Sequence, residues 1–319
     1  MSTPKNPAMS NGRFFPGPLS DGTAAYPYAS PRTGQLGELR YDDLVYSCEP
    51  GYRPLFLDLR VPQEGAGRHP VIIWVHGGGW NRGSRKRLPP HLFDNNPHDQ
   101  MLEAGYAVAA VDYRFSRETG FPGVLADIKA ATRWLRGHAA EFDLDPDRVV
   151  IWGESAGGHI TLMSGLCTKS DGIERTGECL DQPELPNAIV DWYGPADLEA
   201  LLRADVGGDS EESGAQEAGA RDVVPFIQQN TDWSYADLSP ASYVRQDIPP
   251  VFVAHGVEDS SVPVQQSRDL VAQLRAVGAN VDYLEVPGAE HVWRGAPSVA
   301  DIVEQSLNFV TKALENTSR

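Results

Sequence analysis

Four consecutive apolar residues, Val149-Val150-Ile151-Trp152, run directly into Gly153-Glu154-Ser155-Ala156-Gly157. A run this short and this apolar fits a strand covered on both faces. Glycines two before and two after the serine suit a strand-to-helix turn so sharp that side chains there would clash. The pattern is G-x-S-x-G in a strand–turn–helix setting, the context of a nucleophile elbow. Such a turn pushes the Ser155 hydroxyl into the open, at the start of a helix whose positive end favours developing negative charge.

The rest of the chain repeats the same alternation. Val71 to Val75 and Tyr106 to Val111 are further buried-strand runs, and Leu55, Leu57, Leu59 and Val61 alternate as in a strand with one buried face. Val124, Ile128, Ala131 and Leu135 form one face of a helix within 121–140. Strands are expected at 188–192, 251–254 and 281–286, and helices at 264–277 and 298–314. Alternating strands and helices imply right-handed parallel units. The expected fold class is α/β, with a mostly parallel eight-stranded sheet, helices on both faces and ligands at the carboxyl ends of the strands.

Residues 1–50 are expected to form an irregular N-terminal arm, since six prolines and four glycines fall within 1–34 without periodicity. The main domain then spans 51–319. An insertion at about 195–240, acidic and glycine-rich around Gly207 to Gly214, is expected to form a small cap over the strand ends.

Charge narrows the partners. The 27 basic and 44 acidic residues leave a formal net charge of −17. Such a surface repels nucleic-acid phosphates and anionic membranes. The apolar runs fall well short of the ~20 residues of a membrane span. Met1 to Ser30 lacks an apolar signal-peptide core, so a cytoplasmic location is expected. Cys48, Cys167 and Cys179 are too few for a disulfide framework. The expected partner is a small molecule, and a homodimer is left open.

A second motif, His76-Gly77-Gly78-Gly79-Trp80, follows the strand at 71–75. Consecutive glycines let backbone N–H groups converge on one point, as an oxyanion requires. Gly78 and Gly79, with Ala156 beside the serine, are the expected donors. A Walker phosphate loop would need Lys and then Ser or Thr, and Gly83-Ser84-Arg85 lacks them. A serine nucleophile also needs a base, and the base an orienting acid. Chain order Ser, acid, His selects from His159, His255 and His291. His159 lies on the nucleophile's own helix, and His255 ends a strand. His291 follows the last strand, and Asp259 lies in the loop after the preceding one, with Glu258 as the rival acid. Trp80, Trp192, Tyr193 and Trp293 follow strand ends and are expected in the pocket wall, with core packing as the alternative. His91, Asp94, His98 and Asp99 lack a metal-site pattern. No metal is expected, and Asp112-Tyr113-Arg114 is expected to be a structural polar cluster.

These residues together resemble the α/β-hydrolase superfamily, in particular the hormone-sensitive-lipase-like carboxylesterases with an HGGG loop. From about Leu55 to Leu314 the chain is similar to bacterial acetylxylan/feruloyl esterase-like hydrolases, relatives of kynurenine formamidase. The resemblance rests on HGGGW, Asp112-Tyr113-Arg114, Asp145-Pro146-Asp147-Arg148, GESAGG, Asp191-Trp192-Tyr193-Gly194-Pro195, Ser239-Pro240 and His255-Gly256-x-x-Asp259-x-x-Val262-Pro263. It implies an α/β-hydrolase fold and a cofactor-free serine carboxylesterase acting on small acyl or aryl esters through an acyl-enzyme. An amidase or formamidase on the same triad is the main alternative. An acyltransferase and a non-catalytic ligand-binding protein of the same fold are the others.

Overall fold

A computed structural model describes residues 29–48, 53–63, 67–168, 175–204 and 232–317, positions 51 and 173, and the backbone of 14–16 and 25–27. One nine-stranded sheet organises the chain. Its strands are β1 (Arg32–Thr33), β2 (Leu39–Ser47), β3 (Leu55–Val61), β4 (His69–Val75), β5 (Ala107–Val111), β6 (Leu144–Glu154), β7 (Ala188–Trp192), β8 (Val251–Gly256) and β9 (Val281–Val286). They lie in the order β9-β8-β7-β6-β4-β5-β3-β2-β1. The six strands from β9 to β5 pair in parallel. The edge β3-β2-β1 is antiparallel.

Two expectations need correction. The sheet has nine strands rather than eight, and residues 32–47 are not an irregular arm but the antiparallel edge of the sheet. The reason lies in β2. Its register shifts between Tyr41 and Leu44, and Asp43 takes a positive φ of 58°. Such a bulge breaks the two-residue alternation on which strand recognition depends.

Helices cover both faces. α2 (Gly123–Gly137), α3 (Ala156–Leu166) and α5 (Gln265–Ala276) lie on one side, and α1 (Pro97–Glu103) and α6 (Val299–Thr317) on the other. Side chains of one strand serve both layers. Val71, Ile73 and Val75 pack with Ile128, Trp134 and Ile160, while Ile72 and Trp74 pack with Met101, Val303 and Val310. This two-sided burial is why the runs are continuously apolar. The second layer holds a chain of tryptophans, with Trp74 and Trp152 ring centroids 6.2 Å apart and Trp152 and Trp192 5.1 Å apart. Truncating one of them to alanine should cost about 3–5 kcal/mol.

No helix among the described residues is long and apolar enough to cross a membrane. Of the expected cap, α4 (Leu198–Ala204) and residues 232–240 are described, and 205–231 lie outside the described residues. The parallel register sets the strand ends level, with Val75 opposite Gly153, Glu154 opposite Trp192 and Gly256 opposite Val286. The loops after β4, β6, β8 and β9 therefore leave one edge of the sheet together.

Candidate active site

Ser155 stands between β6 and α3 with φ 54° and ψ −123°. Such a backbone costs roughly 1–3 kcal/mol and persists only where its surroundings enforce it. A Cβ on Gly153 would strike Gly157 O and Thr161 Oγ1, and one on Gly157 would strike the carbonyl oxygens of Val75 and His76. The two flanking glycines are thus required by close approach. Strain collects here: of eight non-glycine residues with positive φ among those described, five are Trp80, Ser155, Tyr193, Val292 and Trp293.

The structure brings together the three side chains expected from chain order. His291 Nε2 lies 2.9 Å from Ser155 Oγ, and His291 Nδ1 lies 2.7 Å from Asp259 Oδ2. The carboxylate accepts only, so Nδ1 carries the hydrogen and Nε2 is left to accept from the hydroxyl. Asp259 is itself fixed on both oxygens. Its Oδ1 accepts from the backbone N–H of Ser261, at 2.9 Å, and of Val262, at 2.8 Å. Burial alone would raise its pKa, but hydrogen bonds from His255 and His291 outweigh burial and hold the carboxyl well below the usual carboxylate range.

His255 completes this arrangement in a way the sequence did not show. Its Nε2 is 2.8 Å from Val262 O and 3.3 Å from Asp259 Oδ2, both acceptors, so that nitrogen carries the hydrogen. Its Nδ1 then accepts from Ser267 Oγ at 2.6 Å. One carboxylate oxygen therefore faces two imidazole N–H groups. The rival acid Glu258 takes no part in these contacts.

The glycine loop faces the serine from the other side. Gly77, Gly78, Gly79, Ser155, Ala156 and His291 line one cavity of about 690 Å³. Gly78 has φ 117°, a conformation only glycine adopts readily. Glu154, to which the motif alone assigns no role, holds this loop: its Oε1 accepts from Gly77 N–H at 2.6 Å. Burial raises the Glu154 pKa, partly offset by that hydrogen bond. Further along, Arg85 N–H donates to Asp112 Oδ1 at 2.8 Å and its guanidinium pairs with the same carboxylate. Tyr113 OH donates to His76 O at 3.0 Å. Arg114 pairs with Asp127 at 2.6 Å. The Asp112-Tyr113-Arg114 cluster is structural, as expected.

His159 is no base but a tether. Trp80 Nε1–H donates to its Nδ1 at 3.1 Å, and its Nε2 donates to Leu238 O at 2.7 Å. Burial pushes its pKa down to about 4, keeping it neutral.

The expected pocket wall needs correction. Trp80 lines the cavity, but Trp192, Tyr193 and Trp293 do not. They are buried in the second apolar layer beneath the site, where Trp192 Nε1 donates to Ser306 Oγ at 3.1 Å. Tyr193 packs edge-on beneath His291, ring centroids 4.9 Å apart, and against Trp293 at 4.8 Å. These aromatics sit at strand ends but point into the helix layer, so they form the floor under the imidazole. Leu88, Pro89, Pro195, Leu201, Val262 and Val292 supply the apolar wall instead. His98 packs edge-on against Trp74, and Asp99 pairs with Arg60 at 2.7 Å. No group of three potential metal ligands assembles among the described residues.

The chain is similar to known proteins. The chain is 32% identical over 284 residues to "Probable carboxylic ester hydrolase LipM" of Mycobacterium tuberculosis, covering 86% of this chain and 62% of that protein. It is 32% identical over 269 residues to "Esterase LipQ" of the same organism, covering 81% and 58%. The chain thus spans about three fifths of the length of these curated relatives. Among solved structures, a truncated carbohydrate esterase from gut microbiota superposes with a TM-score of 0.69 at 23% identity, over 86% of this chain and 96% of that one. An esterase from Thermogutta terrifontis, Est2, gives 0.65 at 24%, over 86% and 91%. Both share the fold of this chain, a mostly parallel sheet with helices on both faces that fits the α/β-hydrolase fold implied by the resemblance. The family model described as BD-FAE matches residues 57–274, a span that contains the glycine loop, Ser155 and Asp259, and the chain belongs to that family.

Proposed function

We propose that the protein is a serine carboxylesterase that hydrolyses small acyl or aryl esters through an acyl-enzyme. The observation that carries this reading is the unbroken hydrogen-bond path from Ser155 Oγ through His291 to Asp259 at 2.9 and 2.7 Å. Ester-hydrolase names among relatives at 32% identity support the same chemistry.

In this reading Ser155 Oγ attacks the ester carbonyl while His291 Nε2 takes its proton. Asp259 holds the imidazole in the required tautomer and stabilises its cationic form. The carbonyl oxygen, now negative, is received by the N–H groups of Gly78, Gly79 and Ala156, each worth about 10²–10³ in rate. His291 returns the proton to the departing alcohol. Water then enters, loses a proton to the same imidazole and releases the acid.

Replacing Ser155 with alanine tests the reading. Turnover of p-nitrophenyl acetate should fall by about 10⁴-fold or more while the thermal transition is retained. A fluorophosphonate should label the native chain at Ser155. Activity in the variant within tenfold of the native level would overturn the assignment.

A further inference from the structure

The described wall of the cavity above Ser155 has an unbalanced charge. Among the described residues its wall contains three arginines, Arg82, Arg87 and Arg294, and a single carboxylate, Glu154. Glu154 is buried and turned onto Gly77 N–H. Arg294 is matched by Glu290 at 2.6 Å. Arg82 and Arg87 are exposed, and among the described residues neither forms an ion pair.

An adjoining cavity of about 640 Å³ shows what matched charge looks like in the same molecule. There Arg32 pairs with Asp42, Arg60 with Glu38 and Asp99, and Arg85 and Lys86 with Asp43 and Asp58. Arg87 stands on the rim common to both cavities, yet joins none of these pairs. In a chain with 44 acidic and 27 basic residues, two cations on the loop that follows the glycine motif with no ion-pair partner among the described residues stand out. A cleft with low-dielectric walls focuses such charge. The guanidinium fork fits a planar carboxylate, with two parallel N–H donors.

We propose that Arg82 and Arg87 form an anion subsite of the ester cavity, and that the preferred substrates carry a carboxylate beyond the reacting carbonyl. This rests on the esterase reading of Ser155. The carboxylate has two possible positions, on the acyl chain or on the alcohol, and matched pairs of esters separate them. For the acyl side the pair is p-nitrophenyl hemisuccinate and p-nitrophenyl butyrate. For the alcohol side it is 4-acetoxybenzoate and its methyl ester.

The quantity read is the ratio of kcat/KM for the charged ester over its neutral partner, so a general loss of activity cancels. In at least one pair that ratio should fall about tenfold in the double variant Arg82→Gln/Arg87→Gln, the size of a charge-assisted contact in a cleft. It should fall in the native enzyme as salt is raised, and the double Lys variant should retain most of it. Neutral esters turned over normally, with ratios in both pairs unchanged by the substitutions, would overturn the subsite and leave the esterase reading intact. No turnover of any of the four esters would overturn that reading, and the subsite with it.

Discussion

The two sides of the site are held in different ways. On the acid–base side, Ser155, His291 and Asp259 bond one side chain to the next, across the loops that follow β6, β9 and β8, while His255 braces Asp259 from beside this path. On the donor side, the loop from His76 to Arg85 is held by side chains reaching it from elsewhere: Glu154 at Gly77, Tyr113 at His76, His159 at Trp80 and Asp112 at Arg85. The first is a series, in which one lost link interrupts the proton path. The second is a set of parallel tethers, in which one lost link leaves three. Substitutions on the first side should therefore act on kcat abruptly, and on the second by degrees.

The largest expected effects test the series. His291→Gln should lower kcat by about 10⁴–10⁶-fold, with no further loss on adding Ser155→Ala, because the pair acts as a unit. Single-turnover kinetics on p-nitrophenyl acetate would check this, and multiplicative losses in the double variant would break the series. Asp259→Asn should cost about 10²–10⁴-fold in kcat. The geometry explains why an amide cannot substitute. Asp259 Oδ1 faces two backbone N–H groups and Oδ2 faces two imidazole N–H groups, so whichever end carries the NH₂ meets two donors. A loss below tenfold would show that the carboxylate is dispensable.

The same contrast explains what could be read from the sequence. The series was legible because each member sits at a strand end, and strand ends of a parallel sheet converge. Apolar runs locate those ends: 188–192 and 281–286 match β7 and β9 residue for residue. The tethers were not legible, because they join residues as far apart as Gly77 and Glu154 through side chains whose direction no spacing specifies. Glu154 looked like the free position of G-x-S-x-G, and His255 looked like a rejected base. Trp192, Tyr193 and Trp293 were placed correctly along the chain but on the wrong side of the strand ends, since position within a strand does not say which layer a ring enters. β2 was missed because Arg40, Asp42 and Asp43 put charge at a bulge that breaks the two-residue alternation, although the strand pairs on both sides, with β1 and β3.

Arg85→Gln sharpens the comparison from the donor side. Arg85 is almost fully buried in side-chain terms, at 6% exposure, and its guanidinium gathers Asp43, Asp58 and Asp112. Losing it should let the glycine loop shift while Gly77 and Trp80 stay tethered. The expected result is about a 10–100-fold fall in kcat, the cost of a small misplacement, with ground-state KM changed by less than threefold. His255→Asn should act more weakly, by about 3–10-fold on kcat, because Asp259 keeps its other three donors. If His255→Asn were as damaging as Asp259→Asn, the buried imidazole would belong to the proton path and not merely steady it.

The smallest effect on rate, and the most telling about the tethers, is expected from Glu154→Gln. The amide oxygen can still accept from Gly77 N–H, so kcat should change less than threefold. Stability should respond instead. Burial raises the Glu154 pKa above its unfolded value, so the native state prefers the protonated acid. As pH rises past ~4.3, the unfolded chain releases this proton first and native stability declines, by about 1.4 kcal/mol per pH unit until the native carboxyl also ionises. Glutamine has no proton to lose. Urea midpoints at pH 5 and pH 8 should therefore differ less in the variant than in the native chain, with the variant gaining at the higher pH. The opposite shift would mean that the ionised carboxylate at Gly77 stabilises the loop by more than its burial costs, and that this tether, like the Asp259 side, depends on charge.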